Sequence, residues 1–130
     1  MKSKFNGIVL TPATDKMIST EDCTLLLEHG VAVIDCSWAF FDTVKVRSVR
    51  QRERILPSLL AANPINYGKE FKLSCAEALA AAYILCGLED IAREIMSHFK
   101  WGPAFFAVNE YRFGRYRGCT SSEEMKERER

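Results

Sequence analysis

The chain has 130 residues, which is the length of one domain on the usual range of roughly 100 to 200 residues, so a multi-module enzyme is not expected. Its 48% hydrophobic and 27% charged residues are typical of a packed globular protein and exclude a disordered or fibrous chain. Lys and Arg total 18 against 17 Asp and Glu, a net charge of +1, so recognition of a polyanion would have to rely on local clusters of charge.

The longest apolar run, residues 78–88, is shorter than the roughly 20 residues of a membrane-spanning helix. The apolar run at residues 7–10 is also too short for the core of a signal peptide. We therefore expect a soluble intracellular protein without a membrane partner. The five cysteines are an odd number without a CxxC pair, which predicts reduced thiols and no metal site.

The first third of the chain predicts a strand, a helix and a second strand. Residues 7–10 are apolar and end before a Thr-Pro pair, and a helix with Leu25, Leu26 and Leu27 follows, with a stop at Gly30. Residues 31–34 are apolar throughout, as in a strand of a parallel sheet. Ligands collect where such strands end, which directs attention to the DCSW sequence at residues 35–38.

Two residues of DCSW have a functional and a structural interpretation. Asp35 is the first polar residue after the apolar strand, so it would enter a ligand crevice, but a turn or helix-capping role is equally consistent with its position. Trp38 could be an ordinary core aromatic, or its ring could bind a positively charged ligand. A cationic cofactor would favour the functional interpretation of both.

Residues 45–54, KVRSVRQRER, contain five basic residues and one acidic residue. Such a cluster is usually a solvated face, but it is also a reasonable strip for phosphate contacts. The following loop at residues 61–68 is rich in Asn, Pro and Gly, which could shape a pocket or form a structural turn.

The second half of the chain predicts helices. Ser74 and Glu77 form a capping box for a helix that stops at Gly87, residues 89–100 predict a second helix, and Pro103 opens a third. Residues 121–130 predict a charged tail or a frayed helix. His29 and His98 lie near predicted helix ends, where an imidazole interacts favourably with the helix dipole, so neither is a catalytic candidate.

Four segments together carry a resemblance to a known family: GIVLTP (residues 7–12), GVAVIDCSWA (30–39), ERILPSLLAANPINYGKEFKLSCAEALAAAYILCG (53–87) and FKWGPAFFAVN (99–109). In this order they resemble the small-subunit (16S/18S) rRNA aminocarboxypropyltransferases, which are ribosome biogenesis proteins. The resemblance implies an enzyme that uses S-adenosylmethionine as the donor of a 3-amino-3-carboxypropyl group. The acceptor would be N3 of N1-methylpseudouridine in small-subunit (18S) rRNA.

The resemblance also implies the fold and domain organisation. The family fold is similar to that of SPOUT methyltransferases. In this α/β fold, helices flank a parallel sheet and a trefoil knot lies in the helical C-terminal half. We expect one domain at residues 7–119, with an α/β part at 7–56, a knotted cofactor-binding part at 57–119 and a charged tail at 120–130. Relatives usually carry an HPKKCT-like motif upstream of GIVLTP, whereas only residues 1–6 precede it here. We expect the cofactor contact made by the threonine of that motif to be missing.

Carried over residue by residue, the resemblance implies a set of site residues. Asp35 would receive or orient the N3 proton, and Trp38 would pack against the methyl group of the sulfonium. Further cofactor contacts would come from Ile34, Leu56, Phe71, Leu73, Ser74 and Cys75. Contacts with rRNA would come from Lys45, Arg47, Arg50, Arg52 and Arg54. We expect a monomer that acts on rRNA in the pre-40S particle, in the cytoplasm or also in the nucleus.

Two other functions remain open at this point. The chain could be a non-catalytic assembly factor that binds pre-ribosomal RNA, because the upstream cofactor contact is missing. It could also be an ordinary SPOUT-like methyltransferase, although the IDCSW and AANPINYG sequences argue against that. Formation of methylthioadenosine would distinguish the aminocarboxypropyltransferase from both.

Overall fold

The computed structural model describes residues 7–33 and 50–129. These residues form three strands, β1 (Ile8–Leu10), β2 (Val31–Val33) and β3 (Glu53–Arg54). They also form six α-helices: α1 (Cys23–His29), α2 (Cys75–Leu85), α3 (Glu89–Met96), α4 (Gly102–Val108), α5 (Glu110–Tyr116) and α6 (Ser122–Glu129). Five of the predicted site residues lie outside the described residues: Ile34, Asp35, Trp38, Lys45 and Arg47. None of the helices in the described part is long and apolar enough to cross a membrane.

The described strands form a parallel sheet in the order β2-β1-β3. Ile8 is paired with Val31 and Leu10 with Val33, which confirms the predicted strand, helix and strand. β1 is the central strand, and its three residues are 0–4% exposed because neighbours cover both of its faces. β3 pairs with the other edge of β1 and was not predicted, since its sequence was interpreted only as part of a basic strip.

Local signals predicted the ends of two helices correctly. Gly30 ends α1 with φ +85°, a left-handed conformation that glycine adopts without a steric cost. Ser74 caps α2: its side chain accepts a hydrogen bond from the backbone N–H of Glu77, while the Glu77 carboxylate accepts one from the backbone N–H of Ser74. Gly87, at φ +87°, follows α2 and allows the chain to turn into α3.

The helix predicted over residues 89–100 ends earlier, at Met96. The chain turns back on itself here and brings Gly102 so close to Met96 that a Cβ atom on Gly102 would lie 2.0 Å from the Met96 carbonyl oxygen. The turn is held by hydrogen bonds from Phe99 N to Met96 O (3.1 Å) and from Gly102 N to Phe99 O (3.0 Å). α4 then begins with Pro103 in its first turn, as predicted.

The core contains aromatic side chains from the helical half. Phe105 is fully buried and its ring meets that of Phe113 edge to face at 5.8 Å between centroids. Burial of one such side chain stabilises the fold by roughly 1.5–3 kcal/mol. Packing of α4 and α5 around this pair places their shared boundary residue, Asn109, inside the protein.

The segment predicted as a charged tail forms α6 and packs onto the domain. Met125 is fully buried, and the backbone N–H of Met17 donates a hydrogen bond of 2.8 Å to Ser122 Oγ. The prediction considered mainly the charged residues, but a single apolar residue and a few polar contacts are sufficient to dock the helix. α6 is therefore part of the packed domain.

Candidate active site

A cavity of about 350 Å³ lies where the three strands end. Leu10 and Val33, the last residues of β1 and β2, line it, as does Ile55, which directly follows β3. The amino-terminal end of α2 closes the cavity from another direction through Ser74 and Cys75. Parallel sheets commonly bind ligands at the carboxyl ends of their strands, and this volume lies within the range of small-molecule sites.

The cavity brings together the predicted cofactor residues that the structure describes. Leu56, Phe71, Leu73, Ser74 and Cys75 all line it, although they come from two segments separated in sequence. The sequence analysis missed the other lining residues: Leu10, Thr11, Pro12, Val33, Ile55, Pro57, Leu59 and Ala78. Position directly after the predicted first strand was the signal that could have identified Thr11, whereas Ile55 follows β3, which the sequence did not predict.

The wall of the cavity is mostly apolar, with a few polar groups. Thr11 is only 4% exposed, and its Oγ1 accepts a hydrogen bond of 3.1 Å from the backbone N–H of Ala13. Ser74 places the amino-terminal end of α2 at the cavity, where the helix dipole favours a negatively charged ligand group. The Cys75 side chain is exposed beside it. This combination suits a ligand with a flat apolar part and a carboxylate.

Phe71 has an unusual backbone conformation at the rim of the cavity. Its φ is +59°, in the left-handed region that a bulky residue rarely adopts, and its side chain is 64% exposed. Such a conformation costs on the order of 1–3 kcal/mol and is common at ligand sites. Burial of the ring does not offset this cost, because the ring is largely exposed at the edge of the cavity.

A buried carboxylate connects the two segments that form the cavity. Glu77 is 0% exposed, and its Oε1 accepts hydrogen bonds of 2.8 Å from both Ser74 N and Asn63 Nδ2. Its Oε2 accepts a third, of 2.6 Å, from Ala62 N. Glu77, which shares the capping box of α2 with Ser74, therefore also fixes the loop at residues 61–68, which the sequence predicted only as a turn or a pocket loop.

Side chains from the C-terminal part of the chain bind the backbone of residues 57–60, the segment in which Pro57 and Leu59 line the cavity. Asn109 is fully buried; its Oδ1 accepts from Leu60 N at 2.7 Å and its Nδ2 donates to Leu60 O at 2.8 Å. The Tyr116 hydroxyl donates to Ser58 O at 2.8 Å, and burial raises the pKa of this phenol to about 12, so it remains a donor. A Glu129 carboxylate oxygen accepts from Ser58 N at 2.7 Å.

The basic strip is only partly available to a ligand. Arg54 is 6% exposed, and its guanidinium donates to both carboxylate oxygens of the buried Asp22 at 2.9–3.1 Å. Buried donors already in use cannot reach a phosphate, so Arg54 has a structural role in place of the predicted RNA contact. Arg52 Nε donates to the Gly7 carbonyl at 3.2 Å. Arg50 begins a 3-10 turn at Arg50–Arg52.

The described thiols differ in accessibility. Cys23, Cys75, Cys86 and Cys119 carry free thiols in the described part of the chain, and Cys36 lies outside the described residues. Burial raises the pKa of the Cys86 thiol to about 12 and also raises that of Cys119. Cys75 is therefore the thiol that a reagent in the cavity would meet.

A second depression, of about 610 Å³, lies between the helices and contains none of the predicted site residues. Three of its four charged side chains contact one another: Glu89 pairs with Arg93 at 2.7 Å and with Arg117 at 3.8 Å, and Arg93 also lies 4.4 Å from the centre of the Phe106 ring. Because most of its charges pair with one another and it contains no predicted site residue, we place the candidate site at the first cavity.

Comparison with known proteins identifies the relatives of this fold. Residues 8–130 match the family described as "Ribosome biogenesis protein, C-terminal". The chain is 46% identical over 123 residues to the 16S rRNA aminocarboxypropyltransferase of Methanopyrus kandleri, covering 92% of this chain and 71% of that protein. It is 39% identical over 127 residues to the 18S rRNA aminocarboxypropyltransferase of Saccharomyces cerevisiae, covering 97% of this chain but only 41% of that protein.

A solved structure with the same fold is the SAM-dependent rRNA acp-transferase Tsr3 from Vulcanisaeta distributa. The TM-score is 0.75 at 36% sequence identity, and the match covers 93% of this chain and 67% of that chain. The chain thus spans less than half the length of the yeast relative and about two thirds or more of the archaeal ones. On these matches it belongs to the ribosome biogenesis family that includes the 16S and 18S rRNA aminocarboxypropyltransferases.

Proposed function

We propose that this chain transfers the 3-amino-3-carboxypropyl group of S-adenosylmethionine to N3 of N1-methylpseudouridine in small-subunit rRNA. One observation carries the proposal: a single cavity at the strand ends collects Leu56, Phe71, Leu73, Ser74 and Cys75. These are the described members of the set that the family resemblance assigns to the cofactor.

The cavity is suited to both ends of S-adenosylmethionine. The apolar side chains of Leu56 and Leu73, together with the exposed ring of Phe71, can enclose the adenine. The amino-terminal end of α2 at Ser74 and Cys75 can receive the carboxylate of the amino acid portion. The sulfonium would then lie between these two ends, near the carboxyl end of β2.

The proposed reaction is a displacement at the carbon next to sulfur in the aminocarboxypropyl group. N3 attacks that carbon, the carbon–sulfur bond breaks, and its electron pair remains on sulfur, which leaves as neutral methylthioadenosine. The N3 proton passes to a base, for which we propose Asp35, two positions after the cavity residue Val33 in sequence. Trp38 would cover the methyl carbon and so select which group is transferred.

We extend the proposal to the remaining features that the resemblance implies. The rRNA would be contacted by Lys45, Arg47, Arg50 and Arg52, without the buried Arg54. The parallel sheet and the helical C-terminal half are consistent with a SPOUT-like trefoil knot. The substrate would be rRNA of the pre-40S particle, met by a monomer in the cytoplasm or nucleus.

Calorimetric titration with S-adenosylmethionine tests the cofactor part of the proposal. Leu56→Trp should fill the cavity from a half-buried position and weaken binding about tenfold or more. Leu27→Trp, at a position 57% exposed on α1, is the matched control and should bind like the wild type. Equal affinities for Leu56→Trp and the wild type would place the cofactor elsewhere.

A transfer assay on RNA that contains N1-methylpseudouridine tests the chemistry. We expect methylthioadenosine and an aminocarboxypropylated nucleoside in equal amounts. RNA binding without either product would support a non-catalytic assembly factor. Methylated RNA with adenosylhomocysteine would support a methyltransferase instead.

A further inference from the structure

The loop at residues 63–72 displays apolar side chains to solvent. Five large hydrophobic residues are exposed in the described part of the chain, and three of them belong to this loop: Ile65 (86%), Tyr67 (61%) and Phe71 (64%). Residues of surface loops are usually polar, and exposed apolar patches mark interaction sites. The loop begins and ends at the candidate active site, because Leu59 lines the cavity before it and Leu73 after it.

The backbone of this loop is held firmly, so the exposed side chains are presented in a defined geometry. Asn63 donates to Glu77 at 2.8 Å and accepts from the backbone N–H of Asn66 at 3.0 Å. Ala61 N donates to Lys69 O at 3.0 Å, and Gly68 N donates to Ala61 O at 2.6 Å. A surface organised before binding loses less entropy when a ligand arrives.

The charge of the loop favours a polyanion. Lys69 and Lys72 are both exposed. Glu70, the acidic residue between them, accepts a hydrogen bond from Ser58 Oγ and one of 3.2 Å from Arg112. Its negative charge is therefore opposed by a neighbouring guanidinium, while the two lysines face solvent.

Aromatic rings alternating with lysines are the arrangement that binds unpaired nucleic acid, since bases stack on the rings and phosphates meet the ammonium groups. We propose that Ile65, Tyr67, Lys69 and Lys72 form a platform for unpaired rRNA nucleotides that flank the target N1-methylpseudouridine. Tyr67 provides the stacking face, and the lysines contact phosphates. Phe71, at the rim of the cavity, marks the boundary between this platform and the cofactor. The inference rests on the proposed function, which makes RNA the acceptor.

Fluorescence anisotropy with a labelled single-stranded RNA that contains the acceptor sequence tests the platform. Tyr67→Ala should weaken binding about tenfold, whereas Tyr67→Phe, which retains the ring, should bind like the wild type. For the doubly substituted Lys69→Ala, Lys72→Ala protein, the slope of the logarithm of the binding constant against the logarithm of the salt concentration should be smaller, by an amount equivalent to the release of up to about two counterions. Leu27→Ala is the control for loss of an exposed apolar residue elsewhere.

Titration of Tyr67→Ala with S-adenosylmethionine separates this inference from the proposed function. Unchanged cofactor affinity with weakened RNA binding would support the platform. RNA binding by Tyr67→Ala as tight as that of the wild type would overturn it, and so would a wild type that binds cofactor but no RNA. If Tyr67→Ala bound RNA normally but associated less with small-subunit precursors, the surface would be a binding site for a protein partner. A wild type that binds no cofactor would instead contradict the proposed function.

Discussion

Glu77 offers the most direct test of how the candidate site is held together. Its carboxylate is fully buried and accepts three hydrogen bonds, two on Oε1 and one on Oε2. Glu77→Gln preserves the shape of the side chain but replaces one acceptor oxygen by an NH2 donor. In the better of its two orientations the amide keeps the bonds from Ser74 and Asn63, while its NH2 group faces the N–H of Ala62.

The expected loss of free energy of unfolding follows from the buried N–H of Ala62, which loses its hydrogen-bond acceptor. A hydrogen bond to a charged acceptor contributes roughly 1.5–3 kcal/mol, and a buried donor left unsatisfied costs about 1–3 kcal/mol. These costs overlap, so we expect Glu77→Gln to lower the free energy of unfolding by about 3 kcal/mol. Glu94→Gln, at an exposed position of α3, should change it by less than about 0.5 kcal/mol.

Urea unfolding followed by circular dichroism measures both variants, and the slope of the transition shows whether two-state behaviour is retained. Amide hydrogen exchange provides a second readout, because protection should fall first at Ala62 and Ser74. If Glu77→Gln remained within 0.5 kcal/mol of the wild type with normal protection at these amides, the argument that this carboxylate joins the two cavity segments would be refuted.

Two further predictions concern the rim of the cavity. Iodoacetamide at mildly alkaline pH should modify the exposed Cys75 well before Cys86, whose pKa is raised to about 12 mainly by burial, and S-adenosylmethionine should slow the reaction at Cys75. Peptide mass spectrometry measures this, and equal rates at both thiols would contradict it. Hydrogen bonds from Ser58 and then Arg112 hold the pKa of Glu70 below its ordinary value of 4.5, so this carboxylate adds stability above pH 4.5 that is lost as pH falls through the lower, folded-state pKa. The difference in urea midpoint between wild type and Glu70→Gln should therefore shrink toward acid pH, and a difference independent of pH would count against this role.

The sequence predicted the features that depend on neighbours along the chain. The capping box of Ser74 and Glu77 could be predicted because it rests on local hydrogen bonds, and the stop at Gly30 because it rests on glycine conformation. The hydrophobic pattern predicted the parallel pairing of β1 and β2. The family resemblance added a set of cofactor residues, and the described members of that set share one cavity.

The remaining features depend on which distant segments become neighbours. Arg54 looked like a phosphate contact, but β3 places it against Asp22, which lies 32 positions earlier in the chain. The charged tail looked peripheral, but burial of Met125 and the bond from Ser58 N to Glu129 dock it as α6. Charge and periodicity describe what a residue can do. Only tertiary packing decides whether it meets solvent, a ligand or another side chain, because burial and partner choice are set by the whole fold.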